Sequence, residues 1–138
     1  HIAVFDTGGV VDTLEFHAKN DLHSLSSVNE EEIIAAIRLL RPPYLPEKIA
    51  EAATRSALAN QCILPKTELE ELAAFVLERG ALGVNAAHSG TILGVLFSPG
   101  TCSGLVAVQV REICTAYPHL QYLQTLELIS GGYSIEKG

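Results

Sequence analysis

Residues 80–97 read GALGVNAAHSGTILGVLF. Two apolar runs, 81–87 and 91–97, flank His88-Ser89-Gly90, and each has the short, bounded length of a buried strand. A glycine-containing link of about three residues between two such runs is a hairpin signal. The stretch therefore predicts two antiparallel neighbours, and the rest of the chain is read outward from them.

Upstream, Gly80 stops a helix whose apolar stripe is Leu69, Leu72, Ala73, Val76 and Leu77. Thr67 and Glu70 have the spacing of a capping box at its start. Before it, a helix begins near Pro46 and runs to about Ile63, where Leu64-Pro65 breaks it. Its alanines (50, 52, 53, 57, 59) make it small-faced, with Ser56, Asn60 and Gln61 as polar positions. Asn29 is a candidate cap for a still earlier helix, with Glu30, Glu31 and Glu32 at the positive end of the dipole. Ile33, Ile34, Ile37 and Leu40 share one face of that helix, and Pro42-Pro43 closes it. Ile2–Phe5 reads as a strand, Asp6-Thr7-Gly8-Gly9 as a turn, Val10–Leu14 as extended, and 15–28 as irregular. Downstream, a helix over Cys102–Tyr117 turns Leu105, Val106, Val110, Ile113, Cys114 and Tyr117 inward. Strands at Gln121–Ile129 and Tyr133–Ile135 follow. The order strand, helices, strand, strand, helix, strand predicts an α+β fold, an antiparallel sheet with helices on one face. It is similar to the ferredoxin-like split βαβ arrangement.

The composition narrows the function classes. The 138 residues suit a single domain, and 48% hydrophobic against 18% charged residues supply a core. A net charge of −7 argues against nucleic acid or an anionic membrane as partner. No apolar run approaches the roughly 18 residues of a membrane span, and no basic segment leads into an apolar stretch as in a signal peptide. Cys62, Cys102 and Cys114 lack metal spacing and are read as buried thiols of a cytoplasmic protein. The histidines at 1, 17, 23, 88 and 119 are scattered, so no metal site is expected. The chain contains no methionine, and His1 leads straight into a strand. It is therefore expected to be a piece of a longer protein.

The candidate site centres on the hairpin. Gly90 has no Cβ to keep a ligand from the backbone, and Ser89, Thr91 and nearby N–H groups suit an anion or a substrate carboxylate. Asn85 and His88 flank it as contact candidates. The competing reading is a tight turn that glycine merely shapes. Asp6-Thr7-Gly8-Gly9 also has the look of a site loop, with Asp12 beyond it, yet neither GxxxxGK[ST] nor GxGxxG occurs in the chain. No residue is assigned a catalytic role.

Ala86-Ala87-His88-Ser89-Gly90 resembles the third conserved motif of the GHMP small-molecule kinases, in their C-terminal domain. The alanine-rich helix running into Leu64-Pro65-Lys66, and Ser130-Gly131-Gly132 near the end, make the resemblance strongest to the L-threonine kinase branch. It covers most of residues 46–138 and is loose before them. It implies transfer of phosphate from ATP, with Mg²⁺, to the hydroxyl of L-threonine, serving cobalamin biosynthesis. No stretch here matches the family's ATP-cradling loop, Pro-x-x-x-Gly-(Leu/Met)-x-Ser-Ser. The resemblance thus implies that 1–138 is one domain, the C-terminal half of such a kinase, with ATP and Mg²⁺ held mainly by an N-terminal domain. This half alone is expected to be inactive. Substrate contacts would come from Asn85, His88, Ser89, Gly90 and Thr91, and from Ser56, Asn60 and Gln61 across the cleft. The expected partners are an amino acid and ATP, and a homodimer is allowed. The alternatives are another GHMP kinase, such as a homoserine kinase, and a non-catalytic amino-acid-binding module.

Overall fold

A computed structural model describes residues 1–9, 29–87 and 90–128. Asp12, His88 and Ser89 lie outside the described residues, as do the extended segment expected at Val10–Leu14 and the tail strand at Tyr133–Ile135. The elements run β1 (Ile2–Asp6), α1 (Glu30–Leu39), α2 (Pro46–Ala59), a 3-10 turn (Asn60–Cys62), α3 (Leu69–Glu78), β2 (Gly83–Ala86), β3 (Ile92–Leu96), α4 (Ser103–Ala116) and β4 (Gln121–Leu126). The fold is α+β with a four-stranded antiparallel sheet, in the order β2-β3-β1-β4.

The register explains the core. Ala3 stands opposite Val95 and Phe5 opposite Leu93, while Val84 and Ala86 meet the same two residues from the other side. Side chains directly across a sheet share a face. Ala3, Phe5, Val84, Leu93 and Val95 are all essentially excluded from solvent. Leu69, Leu72, Ala73 and Val76 of α3 and Val106, Val110 and Ile113 of α4 pack into the same cluster. Each large apolar side chain buried there contributes roughly 1.5–3 kcal/mol.

The stripes predicted for α3 and α4 hold with two exceptions. Leu77 is 46% exposed and Leu105 is 58% exposed. Each lies one residue from a buried neighbour, Val76 or Val106, and is therefore turned about 100° around the helix.

Helix α2 lies along β2 at the edge of the sheet, with Ala57 joining the core cluster. Ala87 N–H bonds Ile92 O, so by alternation Val84 and Val95 exchange no backbone bonds. The N–H and C=O of Val84 therefore point out from the sheet edge. Thr54 of α2 meets them there. Its Oγ1 accepts the Val84 N–H at 2.9 Å, and its hydroxyl faces the carbonyls of Ala50 (2.8 Å) and Val84 (3.2 Å). The approach is close enough that a Cβ on Gly83 would stand 2.8 Å from the Ala50 oxygen. The alanine-rich face serves this contact, with Ala50 and Ala57 both buried.

Several local expectations are corrected. Asn29 precedes α1 but does not cap it with its side chain. Its Nδ2 reaches instead to Ala59 O (2.7 Å) and Cys62 Sγ (2.9 Å), tying the start of α1 to the end of α2. Because α1 packs on α2 rather than on the sheet, Ala36 is its buried contact, and Ile33, Ile34, Ile37 and Leu40 are exposed. The α-helix from Pro46 ends at Ala59 and tightens into the 3-10 turn instead of continuing to Ile63. No capping box forms at α3: the residue before the helix is Glu68, in left-handed conformation at φ 57° with no side-chain cap. The backbone and side chain of Lys66 are both held elsewhere, so the chain turns at 66–68 before entering the helix. The cysteines are free thiols, but Cys62 and Cys102 are exposed and Cys114 is half-buried, contrary to the buried reading. Cys62 closes the surface 3-10 turn and Cys102 stands just before α4, so neither reaches the core. Among the described residues, no helix is long and apolar enough to cross a membrane.

Candidate functional site

One end of the sheet gathers the loops that follow β1 and join β2 to β3. Asp6 pairs with Ile92 across β1 and β3, which sets Thr7 beside Thr91. The N–H and the hydroxyl of Thr7 both donate to Thr91 O, each at 2.9 Å. The Asp6 carboxylate accepts the Gly8 N–H at 2.9 Å. Gly8, at φ +74°, supplies the left-handed turn that folds this N–H back. The Thr91 hydroxyl and the Gly8 N–H together hold the Asp6 carboxyl below its ordinary pKa.

Lys66 fastens the other side. Its side chain comes from the turn after α2, and the residue is only 5% exposed. The ammonium donates to Ala87 O at 2.8 Å and to Gly90 O at 2.9 Å, gripping both ends of the β2–β3 connection. Burial lowers the Lys66 pKa, since desolvation penalises the charged form. Gln61 in turn grips the Lys66 backbone: its Oε1 accepts the Lys66 N–H and its Nε2 donates to Lys66 O, both at 2.9 Å. That reciprocal amide pair fixes where the lysine side chain starts.

The sequence-predicted residues divide accordingly. Gly90 and Thr91 stand at this end of the sheet, tied to Lys66 and Thr7. Gln61 reaches the same place through Lys66, with its amide spent on the clamp. Ser56 and the buried Asn60 each have an interaction of their own. Asn85 projects from the sheet face opposite the core, with Oδ1 lying over Gly94, where no Cβ intervenes. His88 and Ser89 lie outside the described residues.

Three residues of the arrangement were missing from the sequence-based site. Asp6 and Thr7 were visible as a loop after a strand, but their partner Thr91 lies 84 positions away. Lys66 was only a landmark after a proline. The available signal was a cation next to a helix break in a chain of net charge −7.

Chemically, the described residues offer a buried cation, a carboxylate held ionised, and threonine hydroxyls with partners. Among the described residues, no three His, Cys, Asp or Glu side chains converge, and Asp6 is already engaged by Gly8 and Thr91.

Comparison with known proteins gives a partial likeness. The chain is 47% identical over 51 residues to an L-threonine kinase of Citrobacter freundii, a stretch covering 37% of this chain and 18% of that protein. It is 43% identical over 51 residues to an L-threonine kinase of Salmonella typhimurium, covering 37% of this chain and 17% of that protein. The match thus spans less than a fifth of either relative's length. No family model and no solved structure matches the chain.

Proposed function

We propose that this chain is the substrate-side, C-terminal domain of a cytoplasmic GHMP-type kinase. The reaction is transfer of the γ-phosphoryl group of ATP to the side-chain hydroxyl of L-threonine, giving O-phospho-L-threonine for cobalamin biosynthesis. The observation that carries this reading is the identity with L-threonine kinases of two organisms. The strand order adds support: three helices between β1 and β2, one between β3 and β4, and β1 set between β3 and β4 resemble the ferredoxin-like pattern. A fold alone would not license an activity.

On this reading ATP and Mg²⁺ are held mainly by residues outside this chain. Phosphoryl transfer leaves little covalent work for the protein, so the contribution of this domain is positioning and electrostatics. Thr7 and Lys66 brace the β2–β3 connection from two sides, which suits a wall that must hold an acceptor hydroxyl in line. Asn85, His88, Ser89, Gly90 and Thr91 are assigned to the acceptor side, together with Ser56 of α2 and Asn60 of the turn that follows it.

The test is a coupled ADP-release assay on the complete protein encoded by the same gene, with ATP, Mg²⁺ and L-threonine, L-serine or L-homoserine. The isolated 138-residue chain is the control. Threonine-dependent release by the complete protein and none by the control is the expected result. A preference for homoserine would move the chain to another kinase of the same superfamily. Silence with all three acceptors, together with saturable amino-acid binding, would replace the kinase by a binding module.

A further inference from the structure

Lys66 is a nearly buried cation whose partners are the neutral carbonyls of Ala87 and Gly90. An ammonium carries three N–H bonds, and these two contacts occupy two of them. Among the described residues no carboxylate lies within ion-pair distance of it; the salt bridges there join other residues, such as Arg55 with Glu51 and Glu32. A desolvated charge without a counter-ion is costly. Carbonyl dipoles offset part of that cost, and an anion would offset the rest. A clamp on two carbonyls needs only neutral donors. A charge at that point, with its backbone locked by Gln61, is more than a clamp requires.

We infer that Lys66 makes this end of the sheet an anion-binding site, whose ligand is an anionic group of the reactants. That group is either the carboxylate of an amino-acid acceptor or a phosphoryl group. The inference deepens the kinase reading, and its choice between the two groups rests on that reading.

The experiment uses the complete protein, as wild type and as the Lys66→Met and Lys66→Arg variants. Inorganic phosphate and O-phospho-L-threonine are titrated calorimetrically. The expected result is binding to the wild type, roughly 10- to 100-fold weaker binding to Lys66→Met, as for loss of a hydrogen bond to a charged group, and an intermediate loss in Lys66→Arg. Turnover is then compared on L-threonine and on L-threoninol, which lacks the carboxylate. A KM penalty in Lys66→Met confined to threonine assigns the site to the carboxylate. An equal penalty on both acceptors, alongside lost phosphate affinity, assigns it to the phosphoryl group. Equal phosphate and phosphothreonine affinities in wild type and Lys66→Met would overturn the inference and leave Lys66 a structural clamp. If Lys66→Met does not fold, ¹⁵N NMR of the lysine Nζ in wild type decides: a Lys66 resonance unmoved by saturating phosphate and phosphothreonine also overturns it. Should the wild type show no threonine-dependent ADP release, the kinase reading fails while the phosphate titration still judges Lys66.

Discussion

Asp6 shows how much one side chain can organise. It ends a buried strand, turns the chain back through the Gly8 N–H, and holds the Thr91 hydroxyl across the sheet. Because those donors favour the ionised form, the native pKa lies below that of the unfolded chain. The sign follows from proton linkage. The contribution of Asp6 to stability is present above the ordinary aspartate value of about 3.9 and is lost as pH falls through the lower native value. Asp6→Asn should therefore flatten the acid limb of the stability curve and leave its neutral part less changed. Urea unfolding of both proteins across the acid range checks this, and parallel curves would remove Asp6 from the account. Lys66 carries the opposite charge under the same linkage. With its native pKa lowered by burial, it makes stability rise with pH as the alkaline range below about 10.4 is crossed.

At the scale of elements, the two edges of the sheet are finished differently. Strand β2 has α2 along it, with Thr54 satisfying a backbone N–H that belongs to a fully buried residue, Val84. Strand β4 is exposed along its whole length. Thr54→Val keeps the shape and removes the acceptor, so it should cost about 1–3 kcal/mol, the penalty for an unsatisfied buried donor. Thr54→Ser should recover most of that loss. Chemical denaturation measures both, and a neutral Thr54→Val would mean that water reaches the edge. What could be read from sequence divides along the same line. The strands at 2–6, 83–86 and 92–96 announced themselves through short apolar runs bounded by glycine or polar turns. The start of α3 did not: the Thr67–Glu70 spacing is local, whereas the position of Lys66 is decided by Ala87 and Gly90, more than twenty residues on. The apolar face of α1 was legible as a face, but what it lies against depends on where α2 goes. In the site, Gly90 and Thr91 were found because glycine marks a turn. Asp6, Thr7 and Lys66 needed the strand order, which periodicity does not encode.

For the whole molecule, the core is concentrated between the sheet and α3 and α4, while α1 is attached through α2. Stability should be graded accordingly. In native-state hydrogen exchange of the complete protein, amides of β1 and β3 should exchange only through global opening. Those of α1, with Ala36 as its buried contact, should exchange roughly tenfold or more faster through local opening. Uniform protection across both regions would mean that α1 is covered by something beyond the described residues.

The placement of β1 between β3 and β4 also has a consequence in time. Of the described strands it is the first to leave the ribosome, yet both neighbours come from the far end of the chain: Ile2 waits for Leu96 on one side and Leu126 on the other. At roughly 5–20 residues per second, that interval is on the order of 5–25 s. Through all of it Ala3 and Phe5, later fully buried, lack their native strand partners. Translation speed therefore sets how long this apolar strand stays without its native neighbours.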